Sequence, residues 1–213
     1  YFISKNAHST QMRDDGTRYF EHPKTVAWLL FDRHKFYSWR VIVIALLHDI
    51  VEDSYIMNEG RIRLNWGRRV ARGVVVLSKN TFPASLLKDS HAPYYQRILQ
   101  QGSWECQAVK VADRIHNLST SEDLDPKRQA KKIAETISYF PAIVQALADQ
   151  APARFLPGIN KMREDLDQLC AEWASSSQST RPDAFGFALQ HPHPVSRIQK
   201  NASLRASEIL NRK

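Results

Sequence analysis

His48, Asp49, Glu52 and Asp53 close an apolar run, Val41 to Leu47, and bring an imidazole and three carboxylates together within two helical turns. In a helix, residues three and four apart share a face, so Glu52 falls one turn beyond His48 and beside Asp49, and Asp53 one turn beyond Asp49. An imidazole and a carboxylate on that face suit a divalent cation, and carboxylates that are not ligands can accept or hold the proton of a nearby water. The plainer alternative is a helix end with solvated charges and one buried histidine, since Asp and Glu are rarely buried unpaired.

Two other segments carry groups of the same kind. His22 precedes Pro23, a residue suited to the first turn of a helix, and so stands where a helix through Val26, Ala27, Leu29 and Leu30 begins. Taken alone it reads more simply as a cap or a surface histidine. Asp113 follows Val111 and Ala112 within a helical pattern over Trp104 to Leu118, an odd place for an unpaired carboxylate. A metal ligand accounts for it, and so does a salt bridge to Arg114 or Lys110.

The elements that must position these groups all read as helices. A short one is expected over residues 3 to 13, stopped by the turn signal Asp14-Asp15-Gly16. The His22 helix and a core helix over 41 to 53 follow, then 61 to 77, interrupted at Trp66-Gly67. After a loop at Ser78 to Pro83 come 84 to 101 with Tyr94 and Tyr95, then 104 to 118, 126 to 150 and 152 to 174, with Pro141 and Pro152 as breaks. No repeat and no strand pattern is evident, so the fold class is all-α, a helical bundle. Ser175 to Thr180 reads as a linker. The expected organisation is one domain over 1 to 174, with residues 175 to 213 a linker and C-terminal extension ending in a helix from Val195.

Composition narrows the class without choosing a function. The chain has 213 residues, 43% of them hydrophobic, enough for one domain with its own core. No apolar run approaches a membrane span. The chain starts at Tyr1 without a methionine, which leaves an upstream segment open, and the reading places it in the cytoplasm. Cys106 and Cys170 lie far apart with no Cys-x-x-Cys spacing and read as packed free thiols. Thirty Lys and Arg against 22 Asp and Glu give a net charge of +8, which favours anionic partners such as nucleotides, nucleic acid or acidic lipid. A positive surface around an acidic, metal-holding centre suits a phosphate hydrolase, and is also a common accident of basic surfaces.

The order His22, His48-Asp49, Asp113 resembles the HD phosphohydrolase superfamily. The segments Arg13-Asp-Asp-Gly-Thr-Arg-Tyr-Phe-Glu-His22-Pro23, Ala45-Leu-Leu-His48-Asp49-Ile-Val-Glu52-Asp53 and Val109-Lys-Val-Ala-Asp113-Arg-Ile-His-Asn117-Leu-Ser-Thr120 resemble, more narrowly, the hydrolase half of RelA/SpoT proteins. They resemble equally the stand-alone small alarmone hydrolases of the metazoan SpoT homologue type. The resemblance covers roughly residues 5 to 125 and implies an HD-domain bundle with one divalent ion per chain. That ion is usually manganese, with iron(II) or another divalent ion as options, and it is held by His22, His48, Asp49 and Asp113. It implies Glu52 and Asp53 as the catalytic acidic pair, Arg13 against a guanine, and Asn117 and Thr120 lining a nucleotide pocket. Lys79 is a further candidate for the substrate's anionic part. Tyr139-Phe140 faintly resembles an aromatic pair that faces the substrate. Asp14, Asp15 and Ser119 depart from the family pattern near the expected base and phosphate contacts. The synthetase half has no counterpart after Thr120.

The activity so implied is hydrolysis of the 3′-pyrophosphate of guanosine tetra- or pentaphosphate to GDP or GTP and pyrophosphate, with an anionic guanine nucleotide as partner. No membrane partner is expected, and a nucleic-acid role rests on charge alone. The alternatives are an HD phosphohydrolase for another nucleotide and a module that senses a nucleotide without cleaving it.

Overall fold

The structure is a computed structural model that describes residues 1–13, 16–53, 57–83, 87, 91–121 and 125–178. Among the described residues the architecture is helical, and the one β-type pairing is an isolated bridge between Met12 and Arg18. The helices are α1 (Phe2–Ala7), α2 (Glu21–Trp28), α3 (Trp39–Leu47), α4 (Ile50–Asp53), α5 (Glu59–Leu77), α6 (Ala92–Gln101), α7 (Trp104–Ser119), α8 (Pro126–Gln150) and α9 (Leu156–Gln178).

Helix α7 is the axis of the bundle. Glu105 through Ile115 and Leu118 are all buried, and the helix packs against α2, α3, α5, α6, α8 and α9. A helix enclosed on every side needs a partner for each polar group it carries. The core around it gathers Val26, Leu30, Ile44, Ile50, Ile62, Val70, Ile98, Val109, Phe140 and Ile159.

Several expectations are corrected. The first helix stops at Ala7 instead of running to residue 13, because the chain turns at His8 and its next segment pairs across Gly16. Arg13 N donates to Thr17 O at 2.8 Å and Tyr19 N to Gln11 O at 3.0 Å, and Gly16 takes φ +79°, a conformation that glycine adopts without strain. Asp14 and Asp15 lie outside the described residues.

The expected core helix over 41 to 53 is two helices, α3 and α4, broken at His48 and Asp49. His48 Nδ1 lies 2.7 Å from the carbonyl of Ala45, the group that the amide of Asp49 would otherwise use to continue the ladder.

Pro141 does not break its helix. It sits on the exposed face of α8, whose other face stays continuous through Phe140, Ile143, Val144 and Leu147, and the helix ends only at Gln150 before Pro152. The Trp66-Gly67 interruption is present, with Gly67 at φ +85° inside α5.

Helix α9 continues through Gln178, past the boundary expected at residue 174, and is anchored to the end of α2. There α2 passes into a π turn, Leu29–Arg33, where Arg33 donates from Nε and Nη2 to Asp165 at 2.6 Å each and His34 Nε2 lies 3.0 Å from the same carboxylate. A Cβ on Gly158 would lie 2.0 Å from the His34 carbonyl oxygen. Residues 179 to 213, with the expected helix from Val195, lie outside the described residues.

Candidate metal centre

Asp113 lies 7% exposed on the central helix, and both of its oxygens are occupied. Oδ2 accepts from Lys110 Nζ at 2.8 Å. Oδ1 accepts from Asn117 Nδ2 at 2.5 Å and faces His22 Nε2 at 3.2 Å and His48 Nε2 at 3.8 Å. The salt bridge open in the sequence is therefore made by Lys110, one turn away. Arg114 turns to Glu135, the Tyr95 hydroxyl and the Lys132 carbonyl. Since Lys110 takes only one oxygen, the other still points at the two histidines.

The histidines stand at the ends of two different helices. His22 is in the first turn of α2 and His48 follows the last turn of α3. Their Nε2 atoms approach to 3.2 Å, and Asp49 Oδ2 lies 3.2 Å from His48 Nε2 and 3.6 Å from His22 Nε2. One potential ligand atom each from His22, His48 and Asp113 lie within 4.8 Å of one another. The carbonyl of Ala45 can only accept, so His48 carries a proton on Nδ1 and turns Nε2 inward. Asp49 Oδ2 accepts from the Tyr19 hydroxyl at 2.9 Å, and His22 Nδ1 lies 2.9 Å from His116 Nδ1. All four groups thus have an outer partner that fixes their orientation, as metal ligands generally do. Two imidazoles and two carboxylates without a thiolate fit a borderline-to-hard divalent ion.

The local fields favour positive charge at this point. Burial works against a proton on His48, but Asp49 and Asp113 outweigh it and lift its pKa to about 9. Burial also opposes the charge on Asp113, and Lys110, with the two histidines, overcomes it and holds the carboxyl well below the usual range. His116 goes the other way: burial, then the neighbouring His22 and Arg13, lower it to about 4, so its ring is neutral at pH 7.

Arg13, His22, His48, Asp49, Glu52, Lys79, Asp113, Asn117 and Thr120 line one cavity of about 360 Å³. Arg13 Nη2 lies 3.5 Å from the Thr120 hydroxyl. Glu52 Oε1 accepts the backbone amide of Lys79, and burial raises its pKa above the ordinary glutamate value. Arg97 sets up that contact. It donates to the carbonyls of Val76 and Ser78 at 2.9 and 2.6 Å, closing α5 and holding the turn Lys79–Thr81, while Asn80 Nδ2 ties the turn to Val51 O at 2.8 Å. The Lys79 side chain sits 5.5 Å from the centre of the Tyr94 ring. Asp53 closes α4, and its side chain lies outside the described residues.

Tyr139 and Phe140 are not on this cavity. They are buried in the core, where Tyr139 stacks on Tyr95 at 4.4 Å and Phe140 lies under Arg114. Conversely, Tyr19, Lys110 and Lys132 line the cavity without a place in it being expected from the sequence, and so does Tyr94, for which the sequence favours packing over stacking on a base. For Lys110 and His116 the available signal was their position three residues either side of Asp113 on an enclosed helix.

Residues 2–143 match the HD domain family, to which the chain therefore belongs. It is 27% identical over 174 residues to the guanosine-3′,5′-bis(diphosphate) 3′-pyrophosphohydrolase of Escherichia coli O157:H7, covering 79% of this chain and 23% of that one. It is 30% identical over 196 residues to the GTP pyrophosphokinase of Myxococcus xanthus, covering 89% and 23%. The chain thus spans about a quarter of the length of the curated relatives it matches. Among solved structures, the metazoan ortholog of SpoT that hydrolyzes ppGpp has the same fold, with a TM-score of 0.61, 19% identity, and coverage of 78% of this chain and 91% of that one. Among the described residues, no helix is long and apolar enough to cross a membrane.

Proposed function

We propose that the protein is a manganese-dependent (p)ppGpp 3′-pyrophosphohydrolase of the cytoplasm. One observation carries the reading: the candidate ligands, the acidic residue Glu52 and the nucleotide-pocket candidates Arg13, Lys79, Asn117 and Thr120 all line the same cavity. The E. coli relative carries this activity in its name. His22, His48, Asp49 and Asp113 would hold the ion, which when bound supplies Lewis-acid polarisation of a phosphoryl oxygen and a lower pKa for water.

The chain's own groups do the rest. Arg13 and Thr120 bound the nucleoside part, and Lys79 and Lys110 bring positive charge to the pyrophosphate. Glu52, steadied through Oε1 by the Lys79 amide, accepts the water proton on Oε2, with Asp53 as its proposed partner. The water oxygen bonds to the phosphorus attached to O3′, the P–O3′ bond breaks, and the proton held by Glu52 passes to O3′, which leaves as the hydroxyl of GDP or GTP. Incubation with guanosine tetraphosphate and Mn²⁺ is expected to give GDP and pyrophosphate, and an excess of chelator to abolish both. Release of orthophosphate alone, or no turnover under any divalent ion, would overturn the proposal.

A further inference from the structure

His116 is the one outer partner in the cage whose role depends on where a proton sits. Its Nδ1 lies 2.9 Å from His22 Nδ1, with the rings tilted and their centroids 4.9 Å apart. Two ring nitrogens at that distance share one proton, which leaves two arrangements. If His116 holds it, a neutral His22 must carry its own proton on Nε2, pointing at His48 Nε2, 3.2 Å away, and at Asp113 Oδ1, also 3.2 Å away. If His22 holds it, Nε2 presents a lone pair to the same point. Only the second arrangement makes His22 a ligand.

We infer that His116 is a positioning residue for the metal centre: its Nδ1 accepts the His22 Nδ1 proton and so selects the tautomer of His22 that can bind a cation. The inference rests on the metal reading above and adds to it a residue that does not itself touch the ion.

One further contact supports an accepting role, and three others hold His116 in place. The other imidazole of the cage, His48, already gives its Nδ1 proton to a fixed acceptor, the Ala45 carbonyl at 2.7 Å. His116 supplies the matching acceptor for His22. The backbone under His116 is also pinned, since its carbonyl accepts from the Thr120 amide at 3.1 Å and the Thr120 hydroxyl at 3.0 Å. Thr120 in turn meets Arg13, so one short stretch of α7 joins the ligand cage to the guanidinium in the cavity.

The test compares His116→Leu, which removes the acceptor, with His116→Asn, whose side-chain oxygen can take the place of Nδ1. Mn²⁺ affinity, read by chelator competition, is expected to fall 10- to 100-fold in His116→Leu, the usual scale for losing an outer-sphere partner, and to stay within about threefold of the parent in His116→Asn. Parent affinity in His116→Leu would overturn the inference. Asp113→Asn separates the levels: if it loses the ion while His116→Leu keeps it, only the His116 inference fails, and if both keep it the metal centre itself fails. Should His116→Leu not fold, the parent protein decides. With diamagnetic Zn²⁺ bound, imidazole nitrogen NMR is expected to show His22 protonated at Nδ1 and His116 at Nε2. The opposite pattern would overturn the inference.

Discussion

At the scale of single residues, the cavity separates groups that hold charge from groups that move a proton. Glu52 is half-buried, tied by one oxygen to the Lys79 amide, and raised in pKa by burial, which suits an acceptor working near neutral pH. Glu52→Gln is expected to leave metal content and folding intact and to reduce turnover about 10²-fold or more, as measured by pyrophosphate release. In the parent, the acid limb of the rate profile should lie above the ordinary glutamate pKa, because the base is lost when it takes up its proton. Metal binding has its own pH dependence. An ion at His48 Nε2 must displace a proton whose pKa is about 9, so apparent affinity should rise by up to tenfold per pH unit from pH 6 towards 9. A flat profile from chelator competition would exclude His48 as a ligand.

At the scale of elements, the sequence was legible where periodicity and breakers act locally, and silent where a distant partner decides. Helical spacing marked α5, α7, α8 and α9, and the glycines at 16 and 67 marked a turn and an interruption that are both present. The break between α3 and α4 could not be read from periodicity, because it falls where His48 and Asp49 face Asp113 and His22 from distant parts of the chain. The Tyr139-Phe140 pair misled because an aromatic pair on a helix looks the same whether it faces a ligand or the core. Eight candidate site residues were legible as motif positions and Lys79 as a nearby positive charge, and all nine line one cavity, whereas Lys132 reaches it only through tertiary packing.

The anchor of α9 on the π turn is another feature of this kind, joining Asp165 to Arg33 and His34 from far along the chain. Gly158→Ala would push a methyl group into the His34 carbonyl and is expected to cost about 1–3 kcal/mol, read as a lower denaturation midpoint. Metal affinity should hold at temperatures where the variant is folded, since the cage lies at the other end of α2.

At the scale of the whole molecule, the family match ends at residue 143 while the packed core does not. Val144, Leu147, Phe155, Ile159, Met162 and Leu166 are all buried, and α9 packs on both α7 and α8. A chain ending at residue 143 is therefore expected to lose cooperative unfolding, because the enclosed helix would be left with one side bare. A chain ending at residue 178 should keep both cooperative unfolding and the bound ion. Circular dichroism melts with and without Mn²⁺ distinguish these outcomes, and a sharp transition in the shorter chain would show that α9 is an appendage.

The enclosure of α7 also gives the molecule an internal clock. Cys106 is completely buried in that helix, and burial pushes its thiol up to about 12, so at neutral pH it is both inaccessible and almost wholly un-ionised. A thiol-specific reagent can reach it only when the bundle opens around its axis, whereas the half-buried Cys170 on α9 should report the outer helix earlier. In excess reagent the two modifications should be resolved in time, with Cys106 slower and slowed further by Mn²⁺. Equal labelling rates at the two positions would mean that the central helix exchanges with solvent as readily as the helix that covers it.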